Sequence, residues 1–121
     1  MPVFSIWESS FPSEHVSLGR EVTEAIWQEM PHFPGYLRHV LIEDLDEPGH
    51  LFVVSEWESR EAADEVLAEY ASNPNALLAN ELVVEPRRRT LGRRLRPKGS
   101  RGRAASGFLD REAGPERRRG V

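Results

Sequence analysis

The stretch from Gly49 to Tyr70, GHLFVVSEWESREAADEVLAEY, decides the fold of this chain. Its run from Leu51 to Val54 is β-branched and aromatic, which predicts a strand that is buried on both faces and ends on Trp57. Ser59 predicts a helix N-cap, because its hydroxyl can accept a hydrogen bond from an amide of the first turn. Apolar residues then recur at helical spacing, so an amphipathic helix is expected next. They are Ala63, Val66, Leu67 and Tyr70.

The segments before this stretch predict two further strands and one further helix. Val3 to Glu8 has the composition of a strand, and a helix capped by Ser13 is expected to run to about Met30. Tyr36 to Asp44 predicts the second strand, which a Pro-Gly turn at 48–49 joins to the strand at Leu51. Strict alternation along this strand places the side chains at positions 36 and 39 on opposite faces.

The segments after the stretch predict one more strand. The second helix is expected to stop near Pro74, because a proline disfavours helix at the residue before it. A short turn is expected over Asn75 to Asn80, and Leu82 to Leu91 predicts the last strand. Pro86 cannot donate to a ladder, so this strand is expected at an edge of the sheet.

The predicted order of elements is β-α-β-β-α-β within residues 1–95, which we take as one domain. This order is the ferredoxin-like pattern of the α+β class, an antiparallel sheet with two helices on one face. The opposite face is also apolar, since both faces of the strand at Leu51 are. A bare apolar sheet face favours association, so we expect a homodimer joined through it.

The composition excludes several kinds of site and partner. The chain has 121 residues and no cysteine, so it has no disulfide, no thiolate nucleophile and no cysteine-bound metal. It has no run of about eighteen apolar residues and no basic N-terminal region followed by an apolar run. We therefore expect a cytoplasmic protein that does not associate with a membrane.

Charge divides the chain into an acidic body and a basic end. Residues 1–86 carry 3 Arg and 17 Asp and Glu, a net charge of −14, whereas residues 87–121 carry 13 Lys and Arg and 3 acids, a net charge of +10. Residues 96–121 are rich in Gly and Arg and are predicted to form a basic disordered tail. Nucleic-acid binding is not favoured, because Phe108 is the one aromatic residue of this tail that could stack on bases.

Three short motifs resemble those of the antibiotic biosynthesis monooxygenase (ABM) family, from residue 3 to about residue 92. They are Pro-Gly-Tyr-Leu at 34–37, Pro-Gly at 48–49, and Ser-Glu-Trp-Glu-Ser at 55–59 followed by a helix. The resemblance implies a dimeric α+β barrel, in which two ferredoxin-like sheets face each other and the last strand reaches onto the partner. The family includes cofactor-free quinone-forming oxygenases and haem-degrading enzymes.

The resemblance also bears on the activity. Haem degradation is not expected, because that type needs a histidine on or after the second helix and Glu61 to Asn80 contains none. The quinone-forming type implies a pocket between sheet and helices that Trp57 lines. That type carries an asparagine four residues before the tryptophan, where this chain has Val53. We therefore expect no metal, no cofactor and fewer polar partners in the pocket.

Candidate site residues follow from the needs of cofactor-free oxygenation, which are a base, an oxyanion donor and a dry pocket. His39 and His32 are the candidate bases, since histidine has an unperturbed pKa near neutrality. The alternatives are a hydrogen-bonded core or dimer-interface histidine for His39 and a solvated loop residue for His32. The candidate ligand contacts are aromatic residues at the helix–sheet seam: Trp57, Tyr36, Trp27 and Tyr70.

The predicted function is that of a cofactor-independent monooxygenase acting on an aromatic or polyketide-like metabolite of the quinol or anthrone type. The alternative is a non-catalytic domain of the same fold, either a small-ligand-binding or a structural dimer, which the apolar Val53 favours. The predicted partners are a small aromatic ligand and a second copy of the chain.

Overall fold

The computed structural model describes residues 1–96, and the predicted tail lies outside the described residues from position 97 onward. Within residues 1–96, four strands form one sheet: β1 (Val3–Ser10), β2 (Tyr36–Glu43), β3 (His50–Trp57) and β4 (Arg88–Gly92). The α-helices of this part are α1 (Val16–Gln28), α2 (Arg60–Tyr70) and α3 (Pro74–Leu82). None of these helices is long and apolar enough to cross a membrane.

The sheet has the strand order β2-β3-β1-β4, and every neighbouring pair is antiparallel. β3 pairs with β1 along its whole length, from Trp57 opposite Val3 to His50 opposite Ser10. This arrangement confirms the predicted antiparallel, ferredoxin-like α+β fold. The stretch at residues 49–70 thus supplies a central strand of the sheet and one of the helices that cover it.

The core lies on the one face of the sheet that the helices cover. Alternate side chains of β3 point into it, and Trp57 at the end of the strand is 1% exposed. All three described α-helices contribute to the same apolar cluster, so α3 adds a third helix to the face predicted to carry two. Its buried helical members are Val22, Ile26, Trp27, Ala63, Val66, Tyr70, Ala76 and Ala79.

A β-bulge near the start of β2 changes which side chains share a face of that strand, so the predicted faces are wrong there. Tyr36 lies opposite Trp57, and the pairing then skips one residue of β2 at Leu37. An extra residue in one strand reverses the alternation of side chains around it. Tyr36 therefore shares the helix-covered face with His39, whereas strict alternation placed the two on opposite faces.

The segment after α2 differs most from its prediction. Residues 75–80 belong to α3 and do not form a short turn. The Asn73 side chain caps this helix by accepting a hydrogen bond from the Asn75 amide at 2.8 Å, and Pro74 occupies the first turn, where its missing N–H is not needed. The strand predicted from Leu82 begins only at Arg88, because α3 ends at Leu82 and residues 83–87 form an irregular connection to β4.

The predicted start of the first helix at Ser13 is also wrong. Ser13 lies in a 3-10 turn, Ser13–His15, which a hydrogen bond from the His15 amide to the Pro12 carbonyl closes at 2.8 Å. The α-helix begins at Val16 and has no side-chain cap. A backbone hydrogen bond closes the tighter turn and no side-chain cap is involved, so the Ser13 cap pattern did not locate the start of the α-helix.

His50 joins the β2–β3 loop to β1 through its imidazole ring. Its Nε2 lies 2.7 Å from Glu8 Oε2, and its Nδ1 lies 3.0 Å from Asp44 Oδ2 and 3.6 Å from Glu47 Oε1. Ionised carboxylates only accept hydrogen bonds, so both contacts are hydrogen bonds when both ring nitrogens carry protons. The hydrogen bonds to Glu8 and Asp44 raise the pKa of His50.

His50→Gln is expected to lower the free energy of unfolding by about 1 kcal/mol at about pH 6. Because the folded-state pKa is raised, this stabilisation is complete below the unfolded pKa of about 6.5 and is lost as the pH rises through the folded pKa. Urea unfolding at several pH values should therefore show wild type and variant converging at alkaline pH. The control is His32→Gln at an exposed position, and a pH-independent difference for His50→Gln would rule out the ion-pair explanation.

Candidate ligand-binding site

A pocket lies between the sheet and the helices, beside the C-terminal end of β3. Its lining is mostly apolar and includes three aromatic side chains of the predicted site, Trp27, Trp57 and Tyr70. The enclosed space is about 60 Å³, and the whole hollow with its open mouth is about 520 Å³. The enclosed part has room for a few water molecules. A polycyclic ligand would therefore occupy the mouth as well.

A buried chain of hydrogen bonds holds Trp57 in place. The indole Nε1 donates to Ser55 Oγ at 3.0 Å, and the Ser55 hydroxyl donates to the Ser5 carbonyl oxygen at 3.2 Å. Ser55 is 0% exposed, so water does not compete for these bonds. The indole has a single N–H, which is used here inside the protein. Trp57 therefore offers a ligand only the surface of its ring.

Arg87 lines the pocket and brings a positive charge to it. Its guanidinium carbon lies 4.9 Å from the centroid of the Trp7 ring, and its Nε donates to Asn80 Oδ1 at 2.8 Å. Burial lowers the pKa of Arg87, yet arginine stays protonated in proteins. Within residues 1–96 no carboxylate forms a salt bridge with it. An anionic group of a ligand would stabilise this cation.

Arg89 is a second cation in the lining, and it is already paired. Its Nη2 donates to Asp64 Oδ1 at 2.9 Å. β4 places Arg89 opposite Trp7, so its side chain lies on the helix-covered face. In the sequence, the run from Arg87 to Arg89 belongs to the basic end of the chain, and neither pocket arginine was predicted. The alternation of β4 was the available signal for Arg89, whereas Arg87 precedes this strand.

His39 and Tyr36 form a hydrogen-bonded pair next to the pocket. Tyr36 Oη lies 2.6 Å from His39 Nδ1. The His39 ring packs on Trp27 at a centroid distance of 5.3 Å, and the Tyr36 ring meets Trp57 edge-on at 5.6 Å. Burial lowers the pKa of His39 and raises the pKa of Tyr36, so both side chains are neutral near pH 7. Neither lines the pocket, although each touches an indole that does.

His32, the other candidate base, lies apart from these residues. It ends the Met30–His32 turn, is exposed to solvent and does not line the pocket. The structure thus places the predicted site residues in three groups, inside the pocket, beside it and away from it. These are Trp27, Trp57 and Tyr70 inside, Tyr36 and His39 beside, and His32 away.

One cluster outside the pocket has the residue types of a metal site. Asp44, Glu47 and His50 bring ligand atoms within 4.8 Å of one another. Both ring nitrogens of His50 already bind carboxylates, one of them from Glu8. Ion pairing therefore accounts for this cluster.

An antiparallel ferredoxin-like sheet with a pocket under its helices defines a class of small α+β domains. The family model described as "Antibiotic biosynthesis monooxygenase" matches residues 2–73, which is more than half of the chain. The chain therefore belongs to the ABM family, as its motifs predicted. No curated protein matches it.

Solved structures of other proteins share the fold. One described as an antibiotic biosynthesis monooxygenase superposes with a TM-score of 0.70 at 19% identity, over 78% of this chain and 99% of that chain. SnoaB, a cofactor-independent oxygenase from Streptomyces nogalater, superposes with a TM-score of 0.63 at 18% identity, over 82% of this chain and 97% of that chain. Rv0793 from Mycobacterium tuberculosis superposes with a TM-score of 0.65 at 24% identity, over 81% of this chain and 99% of that chain. Identities this low establish a shared fold only.

Proposed function

We propose that this chain is a cofactor-independent monooxygenase that oxygenates an aromatic or polyketide-like metabolite of the quinol or anthrone type. The observation that supports it best is an apolar, aromatic pocket that also contains the partly buried cation of Arg87. Family membership adds support, since SnoaB is described as a cofactor-independent oxygenase on the same fold.

The pocket offers what this reaction needs from a protein. A flat, electron-rich ring can occupy the apolar mouth of the pocket, and the Arg87 guanidinium favours the ionised form of a ring hydroxyl. The resulting anion transfers an electron to dioxygen, and the two radicals combine into a peroxide in a site that excludes water. For an anthrone, one oxygen atom remains as the new carbonyl. The other leaves as water with the two hydrogens of the reacting carbon, so no external reductant is consumed.

His39 is the proposed base, with Tyr36 as its partner. Burial lowers the pKa of His39, so at neutral pH the ring can accept a proton. Acceptance at Nε2 requires that Nδ1 carry the ring proton and donate it to Tyr36 Oη. Trp27 both stacks on His39 and lines the pocket, so a substrate reaches Nε2 by displacing this indole.

We also propose a homodimer that forms through the helix-free face of the sheet and includes the last strand. Apolar side chains of the central strands are only partly buried on this face, and Ile42 of β2 is 36% exposed. The partly buried apolar residues of β1 and β3 on this face are Phe4, Ile6, Phe52 and Val54. A second sheet would remove this area from water. Light scattering at micromolar concentration tests the proposal, and a monomer would refute it.

A non-catalytic ligand-binding domain is the second candidate. Two observations favour it: the indole N–H of Trp57 is bonded to Ser55, and His39 does not line the pocket. Val53, at the position where the resemblance implies an asparagine, is buried in the core. A ligand could then bind by stacking without meeting a polar group that activates it.

Oxygen consumption with a panel of hydroxylated naphthalenes and anthrones separates the two functions. Arg87→Met removes the charge and keeps most of the side-chain volume, and it is expected to lower kcat/KM about 100-fold. The matched control is Arg60→Met on α2, whose side chain is 72% exposed and does not line the pocket, and it should leave turnover unchanged. Turnover lost in Trp57→Phe and His39→Ala supports the enzyme, whereas ligand binding without oxygen consumption supports the second candidate.

A further inference from the structure

We propose that the ligand of this pocket is an elongated aromatic molecule, with its ring system in the pocket and an apolar chain in a second, outer groove. The inference rests on the proposed function only in taking the pocket as the ligand site. The outer groove lies between α3 and residues 83–87, and its empty volume is about 1080 Å³ including the space open to solvent.

The outer groove and the pocket share part of their lining. The shared residues come from β1, α2, α3 and the segment before β4: Trp7, Leu67, Ala71, Ala76 and Arg87. The pocket and the groove therefore adjoin at these residues, and a ligand that spans both crosses them here. Because the enclosed part of the pocket is only about 60 Å³, a substituent on a bound ring extends through this opening. The groove is the surface that such a substituent meets first.

The chemistry of the outer groove suits a hydrocarbon chain. Val83, Val84 and Pro86 contribute apolar surface to it, and Val84 is 61% exposed. Asn80 and Glu85 are its polar members besides Arg87 at the opening. An alkyl or aryl extension gains by leaving water.

Arg87 at the opening fixes the orientation of the ligand. Its Nε is bonded to Asn80, and its planar group lies over Trp7. The remaining N–H donors belong to the two Nη atoms, which suit an acceptor such as a phenolate or a carbonyl. The oxygen-bearing part of the ring system is then held at the opening, and the apolar chain leads away along the groove.

Binding of 2-naphthol and 6-hexyl-2-naphthol to the full chain under anaerobic conditions tests this inference. The hexyl compound is expected to bind roughly tenfold more tightly, because methylenes leave water. Val84→Asp places a carboxylate in the groove and should abolish this gain without changing the Kd of 2-naphthol. Leu77→Asp is the matched control, since Leu77 lies on α3, is 50% exposed and does not line the groove.

Each outcome decides the inference. Equal affinity for the two compounds, or a gain that survives Val84→Asp, would overturn it. If the tighter binding of the hexyl compound disappears as the protein concentration rises, a second copy of the chain covers the groove, and the inference is overturned as well. If neither compound binds, the inference and the proposed function fail together. A gain that depends on Val84, without oxygen consumption, would support the inference and reject the monooxygenase.

Discussion

Trp57→Ala is expected to lower the free energy of unfolding by about 3–5 kcal/mol. Trp57 is 1% exposed and belongs to the cluster that joins the sheet to the helices, so its removal leaves a cavity that the sheet cannot close. The Ser55 hydroxyl also loses the hydrogen bond that it accepts from the Trp57 indole N–H. Denaturant unfolding followed by far-UV circular dichroism measures the change, because that signal does not depend on the deleted indole.

Two further variants make the Trp57 result specific. Trp57→Phe retains an aromatic ring and leaves a smaller cavity, so it should destabilise the protein less than the alanine variant. Leu77→Ala removes an exposed side chain and should change the free energy of unfolding by no more than about 0.5 kcal/mol. Similar losses in all three variants would mean that the core does not depend on Trp57.

Gly35→Ala is expected to destabilise the protein by about 2–4 kcal/mol. Gly35 has a φ of 87°, in the left-handed region that a residue with a Cβ rarely adopts. An added Cβ would also lie 2.5 Å from the Cβ of Ala62 on α2, which is closer than two carbons can approach. Backbone strain and steric overlap would both disturb this loop, where the Gly35 carbonyl accepts a hydrogen bond from the Glu58 amide at 2.8 Å.

Double mutants separate the two causes of the Gly35 effect. Ala62→Gly removes the overlapping methyl group, so the pair Gly35→Ala with Ala62→Gly should recover the part that is due to overlap. Gly92→Ala is the control, because nothing lies within 4 Å of an added Cβ there. Strict additivity of the two substitutions would show that backbone strain alone is responsible.

The strand, cap and helix at residues 49–70 could be predicted because their local signals agree. Ser59 caps α2 as predicted, accepting a hydrogen bond from the Ala62 amide at 3.1 Å. Three of the four apolar stripe residues of α2 are buried, and Leu67 at the edge is 38% exposed. The bulge at Leu37 could not be predicted, since it depends on the pairing of β2 with β3 and not on the composition of β2.

The candidate site was predictable in its aromatic part and not in its charged part. Trp57 and Tyr70 follow from strand and helix periodicity, whereas Trp27 lies outside the centre of the apolar stripe of its helix. Arg87 reaches the pocket because α3 and β4 place its segment beside β1, a tertiary arrangement that no local pattern encodes. His39 lies on the helix-covered face beside Tyr36, and the packing of α1 puts Trp27 against it.

The tryptophans that line the pocket make ligand binding measurable by intrinsic fluorescence. The chain has 3 tryptophans, and Trp7, Trp27 and Trp57 all line this one pocket. Every indole fluorophore therefore surrounds the same space, and its emission responds to any ring that enters. Ligands can be screened by quenching of the intrinsic fluorescence, without a label and without knowing whether a reaction follows.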